Sequence, residues 1–177
     1  MALGRVFANQ SPALERLLFR VLGPDEAMED VLQATFEAAI VGFPRFRGEA
    51  SVKTWLSRIA VRLAQEHFRK RTRRRRIGLT LLAEESEASD ADLEADLQHR
   101  VHLRRVYEHL DQIDVKKRTA LLLHVVEGHS IAEVAALMGA SETATKSRIF
   151  WARRNLLARA ARDPLLRESL ELAKDRA

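Results

Sequence analysis

The sequence predicts an all-α chain of two small helical domains joined by an acidic flexible linker, the second domain containing a helix-turn-helix. Three observations predict it. Glycine and proline are scarce, 7 and 4 in 177 residues, so long segments run free of breakers. Apolar residues recur at helical spacing in most of those segments. Charge is segregated: residues 45–76 hold twelve Lys or Arg against Glu49 and Glu66, residues 141–162 hold six against Glu142, and residues 84–98 hold seven acids and no Lys or Arg. Two basic blocks around an acidic one predict two polyanion-binding surfaces rather than uniform stickiness. The expected division is a first domain over 1–80, a linker over 81–100, a second domain over 101–160 and a helical tail over 161–177.

A first helix is expected from about Ser11, an N-cap with Pro12 at N1, to Gly23. Pro24 and Asp25 open a second helix, whose apolar stripe is read as Ala27, Val31, Ala34, Ala38 and Val41; Gly42 and Pro44 stop it. After a loop from Phe43 to Ala50, Ser51 opens a long helix that buries Val52, Leu56, Ile59 and Leu63 and reaches the arginine-rich run near Arg76. Glu84 to Asp96, acidic and rich in small residues, reads as a mobile linker passing into another helix, with Leu103, Val106, Tyr107 and Leu110 on its apolar face. A helix from about Val115 to Glu127 ends at Gly128. Ser130 then caps a short helix, Ile131 to Met138, and Gly139-Ala140-Ser141 makes a turn. A longer helix starts at Glu142 with Thr145, Ile149, Ala152 and Leu156 facing inward. The tail carries Leu165, Leu166, Leu170 and Leu172; packing on the second domain is preferred for it over binding a regulator.

The absence of cysteine excludes disulfides and thiolate metal sites and suits a reducing cytoplasm. Met1 to Gln10 does not read as a signal peptide, and no apolar run is long enough to span a bilayer, so no membrane insertion is expected. The six histidines offer only His99 and His102 at i, i+3, a weak metal spacing. With no nucleophile elbow, paired carboxylates or glycine-rich phosphate loop, no enzyme, cofactor or metal is expected.

Three constellations remain. On the helix from Glu142, Thr143, Lys146, Ser147, Phe150 and Arg154 lie opposite the inward stripe, with Arg148 and Arg153 flanking. Such a helix enters the major groove, where Lys and Arg meet guanine edges or phosphates. An ordinary helical pair with a solvated basic face has the same local pattern, and the charge excess favours DNA. On the long helix, Trp55, Arg58, Arg62 and Arg69 share one face, where an aromatic stacks an unpaired base while cations hold the backbone. The same spacing suits a core tryptophan beside solvated arginines. The run Arg69 to Arg76 attracts phosphate without specifying sequence. On the second helix Asp30, Gln33 and Glu37 line a polar stripe beside Phe36, which periodicity alone reads as a plain amphipathic helix.

Three ordered motifs carry a resemblance. Met28-Glu29-Asp30-Val31-Leu32-Gln33-Ala34-Thr35-Phe36 is similar to a run A-E-D-L-V-Q-E-T-F. Phe46-Arg47-Gly48-Glu49-Ala50, followed after a spacer by Thr54-Trp55-Leu56-Ser57-Arg58-Ile59-Ala60-Val61-Arg62, is similar to F-R-G-E-A and T-W-L-Y-R-I-A-R-N. The third motif runs from Arg118 through Glu127-Gly128, Glu133-Val134-Ala135 and Lys146-Ser147-Arg148 to Ala152-Arg153. Over about residues 10–158 the chain resembles a bacterial sigma factor of the extracytoplasmic-function (ECF) group.

The resemblance implies a factor that binds core RNA polymerase, directs promoter-specific initiation through minus-35 and minus-ten elements, and helps to melt DNA. It implies that Glu29, Asp30, Gln33, Phe36 and Glu37 dock on the clamp helices of the largest polymerase subunit. Phe46, Arg47, Gly48, Glu49, Ser51 and Lys53, with Trp55, Arg58, Arg62 and Arg69, would capture the minus-ten element. Glu142, Thr143, Ala144, Lys146, Ser147, Arg148, Phe150, Arg153 and Arg154 would read the minus-35 element. The linker would thread towards the active-centre cleft, and an anti-sigma factor would regulate the whole. The chain departs from the family pattern at Ser57 (Tyr), Arg62 (Asn), Glu66 (Asp), Asp114 (Pro) and Ala144-Thr145 (Thr-Val). The alternatives are a stand-alone helix-turn-helix regulator, which leaves the Asp30-Gln33-Phe36 stripe without a role, and a polyanion-binding helical protein using Arg69 to Arg76.

Overall fold

Seven α-helices, a further helical turn over 164–167 and no strand are found among the residues that the computed structural model describes, 2–76 and 93–167, without the side chains of residues 2, 3, 5, 6, 75, 76 and 93–99. In chain order they are α1 (Ala2–Leu22), α2 (Met28–Gly42), a 3-10 turn (Phe43–Arg45), α3 (Val52–Arg76), α4 (Leu93–Leu110), α5 (Val115–Val125), α6 (Ile131–Met138) and α7 (Glu142–Ala160). Most of the expected linker and the tail beyond Arg167, with Leu170 and Leu172, lie outside the described residues. Helix α4 begins at Leu93, inside the acidic stretch.

Helix α1 starts well before Ser11, whose hydroxyl bonds the Glu15 carboxylate at 2.8 Å instead of capping. Phe7 stacks on Phe36 at 5.0 Å, an apolar hold upstream of Pro12 that carries the helix towards its N-terminus. Helix α2 is rotated from its expected phase: it buries Val31, Thr35 and Ala39, and Val41 is 79% exposed. Thr35 is admitted to the core because its hydroxyl donates to the Val31 carbonyl at 2.7 Å. Ser51 begins α3 by accepting from the Thr54 N–H. Asp114, where the family has proline, caps α5 by accepting from the N–H groups of Lys116 and Lys117. Leu103 is exposed rather than buried, and Val106, Tyr107 and Leu110 face inward as expected.

The helix-turn-helix forms at its expected boundaries. Ser130 and Glu133 make a reciprocal capping box, and Gly139 ends α6 at φ +59°, a left-handed conformation that costs glycine little. Ser141 caps α7 through the Ala144 N–H.

The larger core crosses the domain boundary: Leu14, Leu18 and Leu22 of α1, Leu56, Ala60 and Ala64 of α3, Leu123 of α5 and Val134 and Leu137 of α6 share one cluster. A smaller core holds Tyr107, Leu110, Ile113, Leu121, Leu122 and Ala152. After α7, Asp163 is held by Arg105 Nε at 2.6 Å and His109 Nε2 at 2.7 Å and accepts from the Leu165 N–H, which tucks Leu166 into the protein.

Candidate nucleic-acid interface

The loop between α2 and α3 builds the first surface. The 3-10 turn and Gly48, at φ +75°, fold residues 43–51 back onto α3. Phe46 then lies 4.8 Å from the Trp55 ring and Phe43 6.3 Å from it. The Phe46 and Trp55 rings wall a cavity of about 330 Å³, whose rim carries Arg45, Arg47, Glu49 and Arg58. Trp55 packs against the larger core and also lines this cavity. Arg58 and Arg62 follow it along the exposed side of α3, with Lys53 and Ser51 at the helix start and Arg69 near its end. The two departures at 62 and 66 belong together, since Arg62 pairs with Glu66 at 3.7 Å. Arg71 is turned out of the phosphate-attracting run, because its guanidinium pairs with Asp25 and Asp111. Burial alone would raise the Asp25 carboxyl, but hydrogen bonds from His67 and the Ala27 N–H and the charge of Arg71 hold it far below the usual range.

A second cavity, about 550 Å³, lies between Trp55, Arg58, Ile59 and Arg62 of α3 and Leu137 and Met138 of α6 with the Gly139 that ends it. The helix-turn-helix therefore stands over the same face of α3.

The second surface is the outer side of α2. Glu29, Asp30, Gln33 and Glu37 are exposed along it, with Gln33 Nε2 donating to Glu37 Oε1 at 2.9 Å. Phe36 leaves this strip, half-buried against Phe7. Ile40 and Val41 continue it, both exposed, a feature masked in the sequence by the misphased stripe.

The third surface is α7. Glu142, Thr143, Lys146, Ser147, Phe150, Arg153 and Arg154 are exposed, and Arg148 and Ala144 are half-buried. Thr145 is fully buried with its hydroxyl donating to the Ser141 carbonyl at 2.9 Å, so this departure lies in the core rather than on the outer face. Sequence reasoning missed Trp151, which is 44% exposed beside the 58% exposed Phe150. The two rings meet edge to face at 5.4 Å and Arg154 covers Trp151 at 5.5 Å. The signal was available: adjacent residues on a helix point about 100° apart, so a pair of large aromatics opposite a filled inward stripe must stand outside.

Among the described residues no group of three His, Cys, Asp or Glu could hold a metal ion. No helix among them is long and apolar enough to cross a membrane.

Comparison with known proteins covers both basic blocks. The family profile for Sigma-70 region 2 matches residues 7–74, and that for Sigma-70 region 4 matches residues 103–156. The ECF RNA polymerase sigma factor SigX of Bacillus subtilis is 33% identical over 138 residues, 76% of this chain and 71% of SigX. The RNA polymerase sigma-H factor of Pseudomonas aeruginosa is 32% identical over 161 residues, 86% of this chain and 82% of that protein. The structure of CnrH in complex with the cytosolic domain of CnrY superposes with a TM-score of 0.63 at 26% identity, covering 92% of this chain and 89% of CnrH. The sigma factor RpoE in complex with the anti-sigma factor NepR, from Bartonella quintana, has a TM-score of 0.62 at 23% identity, a likeness of fold, over 86% of this chain and 92% of that one.

Proposed function

The chain belongs to the sigma-70 family, among the ECF RNA polymerase sigma factors, and from that premise we propose a division of labour among its three surfaces. As a member of that family it works with core RNA polymerase to direct promoter-specific transcription initiation, a DNA-binding role without catalysis of its own. A stand-alone regulator is not favoured, because such a protein has no use for region 2.

In the proposed division, the Glu29-Asp30-Gln33-Glu37 strip of α2 docks on the clamp helices of the largest polymerase subunit. The Phe46-Trp55-Arg58 pocket and the α3 face through Arg62 and Arg69 capture the opened minus-ten strand. Helix α7 reads the minus-35 element as duplex. The observation that carries this reading is the α3 pocket: aromatic walls with guanidinium groups on the rim, next to an exposed acidic strip on the same domain. Extruding a base costs a few kcal/mol, and stacking on an aromatic returns about 1–3 kcal/mol per base. One tryptophan thus roughly offsets one flipped base, and phosphate contacts and the polymerase supply the remainder. On α7, bidentate contacts from Arg supply sequence discrimination. The complexes formed by CnrH and RpoE support the reading that an anti-sigma protein holds this chain too, in the cytoplasm where polymerase works.

Run-off transcription with purified core polymerase and a genomic promoter pool tests this. We expect specific initiation that Asp30→Ala weakens through core affinity, about tenfold for the 1.4 kcal/mol of one charged contact. Lys146→Ala should lower promoter affinity alone. An Asp30→Ala protein that binds core as the wild type does, or a Lys146→Ala protein with unchanged promoter binding, would remove the corresponding surface from the assignment.

A further inference from the structure

The outer face of α7 is not uniformly basic. Thr145, Ile149, Ala152 and Leu156 turn inward. At about 100° per residue, Thr143, Ser147, Phe150 and Arg154 fall on the opposite side, with Lys146 and Trp151 on either flank of that row. All six are exposed. Two of them are large apolar rings, where a face built only to be solvated would carry none. The rings form a unit. Phe150 and Trp151 meet at 81° between their planes, so the electropositive edge of one faces the π cloud of the other. The Arg154 guanidinium is drawn onto the same indole. Phe150 is thus braced by neighbours on its own helix and not by the core.

A helix lying in the major groove meets three kinds of group: phosphates, hydrogen-bonding base edges, and one apolar group, the C5 methyl of thymine. Lys146 and Arg154 suit the first two. A phenyl ring neither donates nor accepts a conventional hydrogen bond, so phosphates and the polar edges of guanine, adenine and cytosine return nothing for the water it loses. The thymine methyl does, because its contact with the ring removes apolar surface of both from water. An exposed aromatic pair also suits a protein partner. The charge around this one decides between them: α7 carries five Lys or Arg against Glu142 alone, which favours a polyanion.

We propose that Phe150 is a specificity-determining residue that selects a T·A pair in the upstream element by packing on the thymine methyl, and that Trp151 is its positioning residue. The proposal rests on the assignment of α7 to the minus-35 duplex. Trp151 holds the phenyl ring edge-on and keeps Arg154 in line beside it, and it does both without touching DNA. The division of work on α7 then follows from chemistry. Cations supply affinity for the backbone, guanidinium groups discriminate guanine, and Phe150 discriminates thymine from cytosine, the other pyrimidine, which lacks the methyl.

The test uses the full-length chain bound to purified core polymerase. Selection from promoters with a randomised minus-35 element gives the preferred bases. Each thymine of the preferred element is then replaced in turn by deoxyuridine, which removes the methyl and keeps every hydrogen-bonding atom. We expect one thymine at which deoxyuridine weakens promoter binding about fourfold, the worth of one methyl group taken from water. In Phe150→Ala, thymine and deoxyuridine at that position should bind alike, and Phe150→Leu, which keeps an apolar contact, should restore part of the difference. Trp151→Ala should shrink the ratio, whereas Lys146→Ala should weaken binding of both DNAs and leave the ratio fourfold. A preferred element in which no thymine methyl matters overturns the proposal, and so does a methyl effect that persists in Phe150→Ala. Loss of core affinity in Phe150→Ala, with thymine and deoxyuridine bound alike by the wild type, overturns it in favour of a protein-docking role for the rings. If the wild type selects no upstream bases at all, it is the minus-35 assignment of α7 that fails.

Discussion

At the scale of single residues, the environments rather than the residue types decide the roles. Asp163 is an unremarked acid in the sequence, yet it anchors the chain after α7. The His109 hydrogen bond chiefly, with Arg105 and against the opposing effect of burial, holds its carboxyl at about 2. A carboxyl whose folded value lies below its ordinary one stabilises the fold above that ordinary value and loses the contribution as pH falls through the folded one. The anchor should therefore hold above about pH 4 and release as pH drops to about 2. Hydrogen-exchange protection of the Leu165 amide, which donates to Asp163, reads this directly. Protection that survives at pH about 2, or that titrates identically in Asp163→Asn, would contradict the assignment. Trp55 and Thr145 make the same point. The first stands at the edge of the core with the pocket beside it, and the second is a polar residue made safe for burial by one backbone acceptor.

At the scale of elements, what could be read depended on how distinctive the terminating chemistry was. The helix-turn-helix was legible to the residue because Ser130, Glu133, Gly139 and Ser141 each satisfy or terminate a specific backbone group. Helix α2 was misphased because alanines at 27, 34 and 38 fit either face and carry little directional signal. The start of α1 was misplaced because Ser11-Pro12 mimics a helix start, while the Phe7–Phe36 contact that extends the helix joins distant residues. The capping box offers a check. Ser130→Ala should cost about 1 kcal/mol, which lowers Tm by about 2–4 °C in a chain of this size, and thermal denaturation measures it. An unchanged Tm would mean that the box closes only one turn of helix and orients nothing.

At the scale of the whole molecule, the sequence left the arrangement of the two expected domains open, and the described residues form a shared core across them. A shared core couples unfolding. Calorimetry of the wild-type chain should show one transition, with calorimetric and van't Hoff enthalpies in agreement. Arg118→Met, which unpairs the Val21 and Leu22 carbonyls across the domain boundary, should split it in two, one transition per domain. Two transitions in the wild type would mean that the shared core contributes little to stability.

The sequence by itself determined most of the helices, the caps of the helix-turn-helix, the charge segregation and the ordered motifs that mark both sigma regions, because each is set by neighbours within a few residues. Only the tertiary structure decided which helix covers which. Periodicity states that a face is apolar without stating what buries it, so α6 on α3 was not readable. The burial of Arg118 and Arg71 was not readable in the sequence, because the partners of Arg118 at Val21 and Leu22, of Arg71 at Asp25, and of both at Asp111 come into reach only once the two domains have folded against each other.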